Sequence, residues 1–162
     1  MEIHYHGGDR VNKKITVSSI LIISILATSM AGTVLARPFY KDLTVEKASR
    51  LVLSKGHKDL VVIDLRPASM YTAGHAPGAI NVPVIEITGG TPPVIAHWDV
   101  LEAWMESTEG QSHLNDKIII YCLAGLASPE GAQYLIDEGF KKVNSMEGGF
   151  NAWAAAGYPI ET

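Results

Sequence analysis

Hydrophobic positions in this chain occur in two kinds of pattern. From Ile15 to Ala36 they run for 22 residues without a charge. Further on, Leu60-Val61-Val62-Ile63 and Ile118-Ile119-Ile120-Tyr121 are short apolar runs, the mark of strands buried on both faces. Around them the spacing turns helical. Val45, Ala48, Leu51 and Val52 share one face, which predicts a helix capped by Thr44, running to about Ser54 and stopped at Gly56. Trp98, Leu101, Trp104 and Met105 predict a second helix over His97 to Ser107. A third opens at Ser128-Pro129, with Ser128 as cap, and runs to about Glu138 before Gly139. Ala79 to Val82 and Val143 to Ser145 read as shorter strands, Gly89 to Pro93 as a loop, Gly148-Gly149 as a turn, and Phe150 to Ala156 as a last helix. Strands alternating with helices predict an α/β domain with a central, mainly parallel sheet flanked by helices.

The first long run has a different meaning. Arg10, Lys13 and Lys14 precede it, and small residues close it at Val34-Leu35-Ala36. A basic start, an apolar centre and a small-residue end describe a secretory signal peptide, cut after Ala36. Uncut, 22 residues are long enough to anchor the chain in a membrane. Four Ser and three Thr weaken it as a permanent span. Residues 1–36 are thus a signal peptide or signal anchor, and 37–162 the working domain. Both readings export that domain to the periplasm or the extracytoplasmic face, with membrane contact only if the leader stays.

Charge narrows the partners. The chain of 162 residues carries 13 Lys+Arg against 17 Asp+Glu, a net of −4. That balance argues against nucleic acid as partner. One Cys excludes an intrachain disulfide and a Cys-only zinc site. No metal or organic cofactor is expected.

The single Cys122 follows a buried strand and precedes a Ser-Pro helix start. Ligands bind at the carboxyl ends of strands in open parallel sheets. A helix N-terminus lowers the pKa of a neighbouring thiol. Gly125 lets Leu123, Ala124, Leu126 and Ala127 curl so that backbone N–H groups face inward as an anion nest, ending at Ser128. The bland alternative is a Cys that only fills core space.

Three segments together resemble the rhodanese-like (single-domain sulfurtransferase) family. Asp64-Leu65-Arg66 through Tyr71, Gly74-His75, Gly78-Ala79-Ile80-Asn81 and Pro83 resembles its D-x-R … Y-x-x-G-H-I-x-G-A-x-N-I-P signature. Cys122 to Ser128 resembles its C-x-x-G-x-R-S loop. Gly148-Gly149 to Trp153, Gly157 and Pro159 resembles its closing stretch. The resemblance covers about Leu43 to Ile160 and implies a three-layer rhodanese-like fold. It also implies a persulfide mechanism: Cys122 takes a sulfane sulfur from a small donor such as thiosulfate or from a protein persulfide. A thiol, or cyanide in the test tube, then receives it. The N–H groups of Leu123 to Ser128 would hold the persulfide. The loop departs from the family in having no charge and no polar side chain before Ser128, so weak thiosulfate activity is expected. It is also one residue shorter than in the phosphatase relatives of the fold. A persulfide carrier without turnover and a redox-sensing thiol remain alternatives.

Asp64, Arg66 and His75 are supporting residues in this resemblance. Asp64 and Arg66 tie loops together, or Arg66 supplies charge that the loop lacks. His75 reads as a hydrogen-bonded structural residue rather than a base. The stretch from Val84 to Gly110 matches the family least, and a loop there is placed to line the mouth and set substrate choice.

Overall fold

The two uninterrupted apolar runs lie side by side in the sheet. In the computed structural model, which describes residues 39–54, 58–89 and 94–162, thirteen elements follow in order. They are β1 (Lys41–Leu43), α1 (Val45–Val52), β2 (Leu60–Asp64), α2 (Ala68–Ala73), β3 (Ala79–Asn81), β4 (Ile85–Ile87) and β5 (Val94–Ala96). Then come α3 (Trp98–Glu106), α4 (Thr108–Ser112), β6 (Lys117–Tyr121), α5 (Ser128–Asp137), β7 (Lys142–Met146) and α6 (Gly149–Ala155). The leader expected over residues 1–36 and the helix stop at Gly56 lie outside the described residues, as does most of the loop expected after Gly89. Among the described residues, no helix is long and apolar enough to cross a membrane.

Five strands form one sheet in the order β1-β7-β6-β2-β3, and every pair in it is parallel. Alternation along the central strands explains the unbroken apolar runs. Val61, Ile63, Ile118 and Ile120 pack on one face with Leu101 and Met105 of α3 and Ala132, Leu135 and Ile136 of α5. Val62, Ile119 and Tyr121 pack on the other with Ala48 of α1 and Trp153 of α6. Both faces are buried, so neither needs polar positions. The layers are helix, sheet, helix, as expected.

Thr44 caps α1 as expected, its hydroxyl accepting from the Lys47 N–H at 3.4 Å. Ser128 departs from expectation. The cap position of α5 is Ala127, and Ser128 is already the first helical residue, with its side chain turned into the core. Four further pieces were not anticipated: edge strand β1, helices α2 and α4, and an antiparallel β4–β5 ribbon in which Ile87 lies opposite Val94.

Candidate active site

Because the sheet is parallel, the carboxyl ends of its strands share one edge, and the chemistry-bearing residues gather there. Cys122 directly follows β6, Asp64 ends β2, and Asn81 ends β3. Cys122 is buried, 4% exposed. Its Sγ accepts the Ala127 N–H at 3.4 Å and lies 3.9 Å from Ser128 Oγ. Ser145 of β7 donates to that same Ser128 Oγ at 3.1 Å. A line of two buried hydroxyls therefore leads to the sulfur. With the Ser145 proton on Ser128 Oγ, the Ser128 proton is free to turn toward an anionic sulfur.

The loop after Cys122 is held from behind by α6. The N–H groups of Phe150 and Asn151, in the first turn of that helix, donate to the carbonyls of Cys122 and Leu123, each at 2.9 Å. This approach explains two glycines. Gly125 has φ +77°, and a Cβ there would stand 2.7 Å from the Gly148 nitrogen. Gly149 has φ +56°, and a Cβ there would press on the carbonyl oxygens of Cys122 and Leu123. Only glycine supplies both the left-handed backbone and the room.

In front of the loop is a cavity of about 160 Å³. Cys122, Leu123, Ala124, Leu126 and Ala127 line one side of it. Ile85, Ile87 and Val94 of the ribbon, with Arg66, Pro67 and Met70, line the rest. Gly125 and Ser128 do not line it; Gly125 faces the Gly148-Gly149 turn and Ser128 lies beneath the sulfur.

Arg66 is the one charged residue in that wall among the described residues, and most of it is engaged elsewhere. Nε and Nη2 bond Asp64, the closest at 2.6 Å, and Nη2 also donates to the Gly74 carbonyl at 2.7 Å. The Phe150 ring covers the guanidinium at 3.7 Å. Asp64 is fully buried behind it. It also raises the pKa of Tyr121, whose phenol is pushed up first by burial and next by that carboxylate. The phenol is therefore neutral, hydrogen-bonded to Asp64 and accepting the Ala76 N–H at 3.2 Å.

His75 is not part of the cavity wall. Its Nδ1 bonds the Tyr71 carbonyl at 3.0 Å, its ring stacks on Tyr71 at 3.8 Å, and its backbone pairs with Glu161. Among the described residues, no group of three or more His, Cys, Asp or Glu is placed to hold a metal ion.

Sequence reading missed Ser145, and it placed the mouth in the stretch Val84 to Gly110 without singling out the ribbon residues. Ser145 carried a signal, since it lies two positions from the buried Val143 and so faces the same core, where a hydroxyl needs a partner. The ribbon carried little: two strands of three residues each, one closely following Pro83.

A buried thiol at a parallel strand end, seated in a curled loop before a helix, defines a strand-end thiol domain of the α/β class. The Rhodanese-like domain family matches residues 46–156, and the chain belongs to that family. Among similar proteins is a thiosulfate sulfurtransferase GlpE from Pseudoalteromonas translucida, 33% identical over 117 residues, covering 72% of this chain and 91% of that protein. The GlpE thiosulfate sulfurtransferase of Shewanella oneidensis is 29% identical over 117 residues, covering 72% and 95%. The rhodanese-like domain of an Anabaena protein, solved by NMR, has the same fold, with a TM-score of 0.57 and 23% identity over 76% of this chain and 80% of that one. A Rhodopseudomonas palustris protein of unknown function, described as a possible tyrosine phosphatase, superposes with a TM-score of 0.58 at 26% identity, over 95% of this chain and all of that one. Family and relatives together support a sulfurtransferase-type function.

Proposed function

We propose that the protein moves a sulfane sulfur from a donor to a thiophilic acceptor through a persulfide on Cys122. The seat of Cys122 Sγ carries this reading: a backbone N–H and a serine hydroxyl on one side, an open cavity on the other. The thiolate attacks the outer sulfur of a donor such as thiosulfate. The donor's S–S bond breaks and sulfite leaves with the electron pair. The persulfide anion then sits in the curled loop, where the N–H groups of Leu123 to Ser128 stabilise it as preorganised donors that need no reorganisation. An acceptor thiol or cyanide attacks the outer sulfur and Cys122 departs as thiolate. Splitting the transfer in two lowers each barrier. The basic residues ahead of the uncharged run Ile15 to Ala36 support a place of action outside the cytoplasm, and the uncharged loop supports a thiol or protein-bound sulfur as natural partner.

The test is thiosulfate:cyanide sulfur transfer by the full chain and by Cys122→Ser, with intact-mass analysis for an adduct of about 32 Da, one sulfur on the thiol. Turnover with an adduct, both lost in Cys122→Ser, is the expected result. An adduct without turnover identifies a carrier instead. Oxidation of Cys122 by peroxide with no adduct identifies a redox-sensing thiol. Hydrolysis of an aryl phosphate would place the chain with the phosphatases of this fold.

A further inference from the structure

We infer that the donor carries a compact apolar body on the leaving group next to its sulfane sulfur, selected by Ile85, Ile87 and Val94 of the β4–β5 ribbon and by Leu126 of the loop. This rests on the sulfurtransferase reading of Cys122 and names the donor chemistry that fits it.

Three observations lead there. First, the ribbon wall opposite Cys122 is aliphatic, and the one charge among the described lining residues, Arg66, is already neutralised by Asp64. A dianion entering this cavity loses water and gains no free cation, whereas an apolar group loses nothing. Second, Ile87 and Val94 face each other across the ribbon and are 47% and 48% exposed, and Leu126 is 87% exposed. All three border the cavity, so the exposed apolar surface is continuous with the thiol's own pocket. Third, the cavity is about 160 Å³, and an apolar cavity of roughly 150 Å³ holds one benzene ring. The class is therefore an organic sulfane-sulfur compound with an aryl or short branched alkyl body.

The chemistry balances without a co-reactant. With a thiosulfonate, the Cys122 thiolate attacks the terminal sulfur and the bond from that sulfur to the sulfonyl group breaks. A sulfinate then leaves with the electron pair, and Cys122 holds the persulfide anion. Cyanide removes the sulfur as thiocyanate.

Benzenethiosulfonate and methanethiosulfonate share this reacting group and differ only in the apolar body, so they are the probes, with thiosulfate as the dianion. Persulfide formation on the full chain is followed by mass, each rate divided by that of a small thiolate in solution. A single methylene in an apolar pocket is worth roughly 10–200-fold in selectivity, so the phenyl donor should lead the methyl donor by about 30-fold or more. Ile87→Ser and Val94→Ser should each cut that ratio at least about fivefold. A ratio near one, a ratio unchanged in both variants, or thiosulfate as the fastest donor overturns the inference while leaving the persulfide reading standing. No adduct from any of the three donors removes the persulfide reading itself, and the inference with it.

Discussion

Asp64 and Arg66 show at the scale of single residues how the site edge is held. The two are buried together, and the carboxylate accepts both the Arg66 side chain and the Arg66 backbone N–H at 2.9 Å. Removing one member of such a pair leaves a charge stranded in the core, at a cost of about 3–5 kcal/mol. Asp64→Asn and Arg66→Met should each destabilise by about that amount in urea unfolding, and the double variant by less than the sum. Tyr121 lies against the same carboxylate. Its pKa is raised in the folded protein, by burial first and by Asp64 second, so the folded state holds that proton more tightly than the unfolded chain. The stability this represents is complete below the ordinary tyrosine value of about 10 and is lost as pH rises above it. Tyr121→Phe should therefore be less stable at neutral pH, by about 1–3 kcal/mol for the unpaired partners it leaves, yet lose less of its stability between neutral pH and strong alkali. The charge pair was legible in the sequence as a D-x-R segment. The tyrosine's part was not, because its hydroxyl meets Ala76 and Asp64 only through the pairing of distant strands.

At the scale of elements, the site depends on α6 pressing on the loop after Cys122. That contact is backbone on backbone, so it has no tolerance for a side chain. Gly149→Ala adds a methyl group against two loop carbonyls and strains a left-handed backbone. It should lower the thermal midpoint and reduce persulfide formation together, since the loop must shift to relieve the clash. Ala156→Gly, outside the contact at the helix end, serves as the control. The strands and longer helices were readable because burial on two faces or one leaves a period in the sequence. β1, α2, the five-residue α4 and the β4–β5 ribbon left none. β1 and both ribbon strands span three residues, and α2 buries no residue at all. The ribbon is also where the structure adds most to the sequence reading, because the stretch expected to line the mouth as a loop does so as two paired strands that form one wall of the cavity.

At the scale of the whole molecule, the uncharged loop and the parallel sheet have to be considered together. The sheet brings five strand ends to one edge, and it does so whatever the loop contains; that much followed from strands alternating with helices along the chain. What the loop binds is a separate matter, decided by which charges the rest of the molecule leaves free at that edge. Among the described residues, the only cation in the cavity wall is tied to Asp64 and covered by Phe150, so they offer no compensation for the missing loop charge. Restoring a charge should therefore change donor choice without changing the scaffold. Leu126 is the place to do it, because its side chain is exposed at the cavity rim and packs against nothing in the core. Leu126→Arg should raise thiosulfate kcat/KM by about tenfold, on the scale of a charge-assisted hydrogen bond at about 1.5 kcal/mol, and leave the unfolding midpoint within about 0.5 kcal/mol of the original. Steady-state transfer to cyanide, with urea unfolding of the same preparation, checks both. A gain in thiosulfate turnover would mean that the backbone cradle was competent from the start and that the chain's apolar wall, rather than a defective thiol, sets its donor. An unchanged rate would place the limit at the sulfur itself, in the reach of the Ala127 N–H and the Ser145–Ser128 hydroxyls.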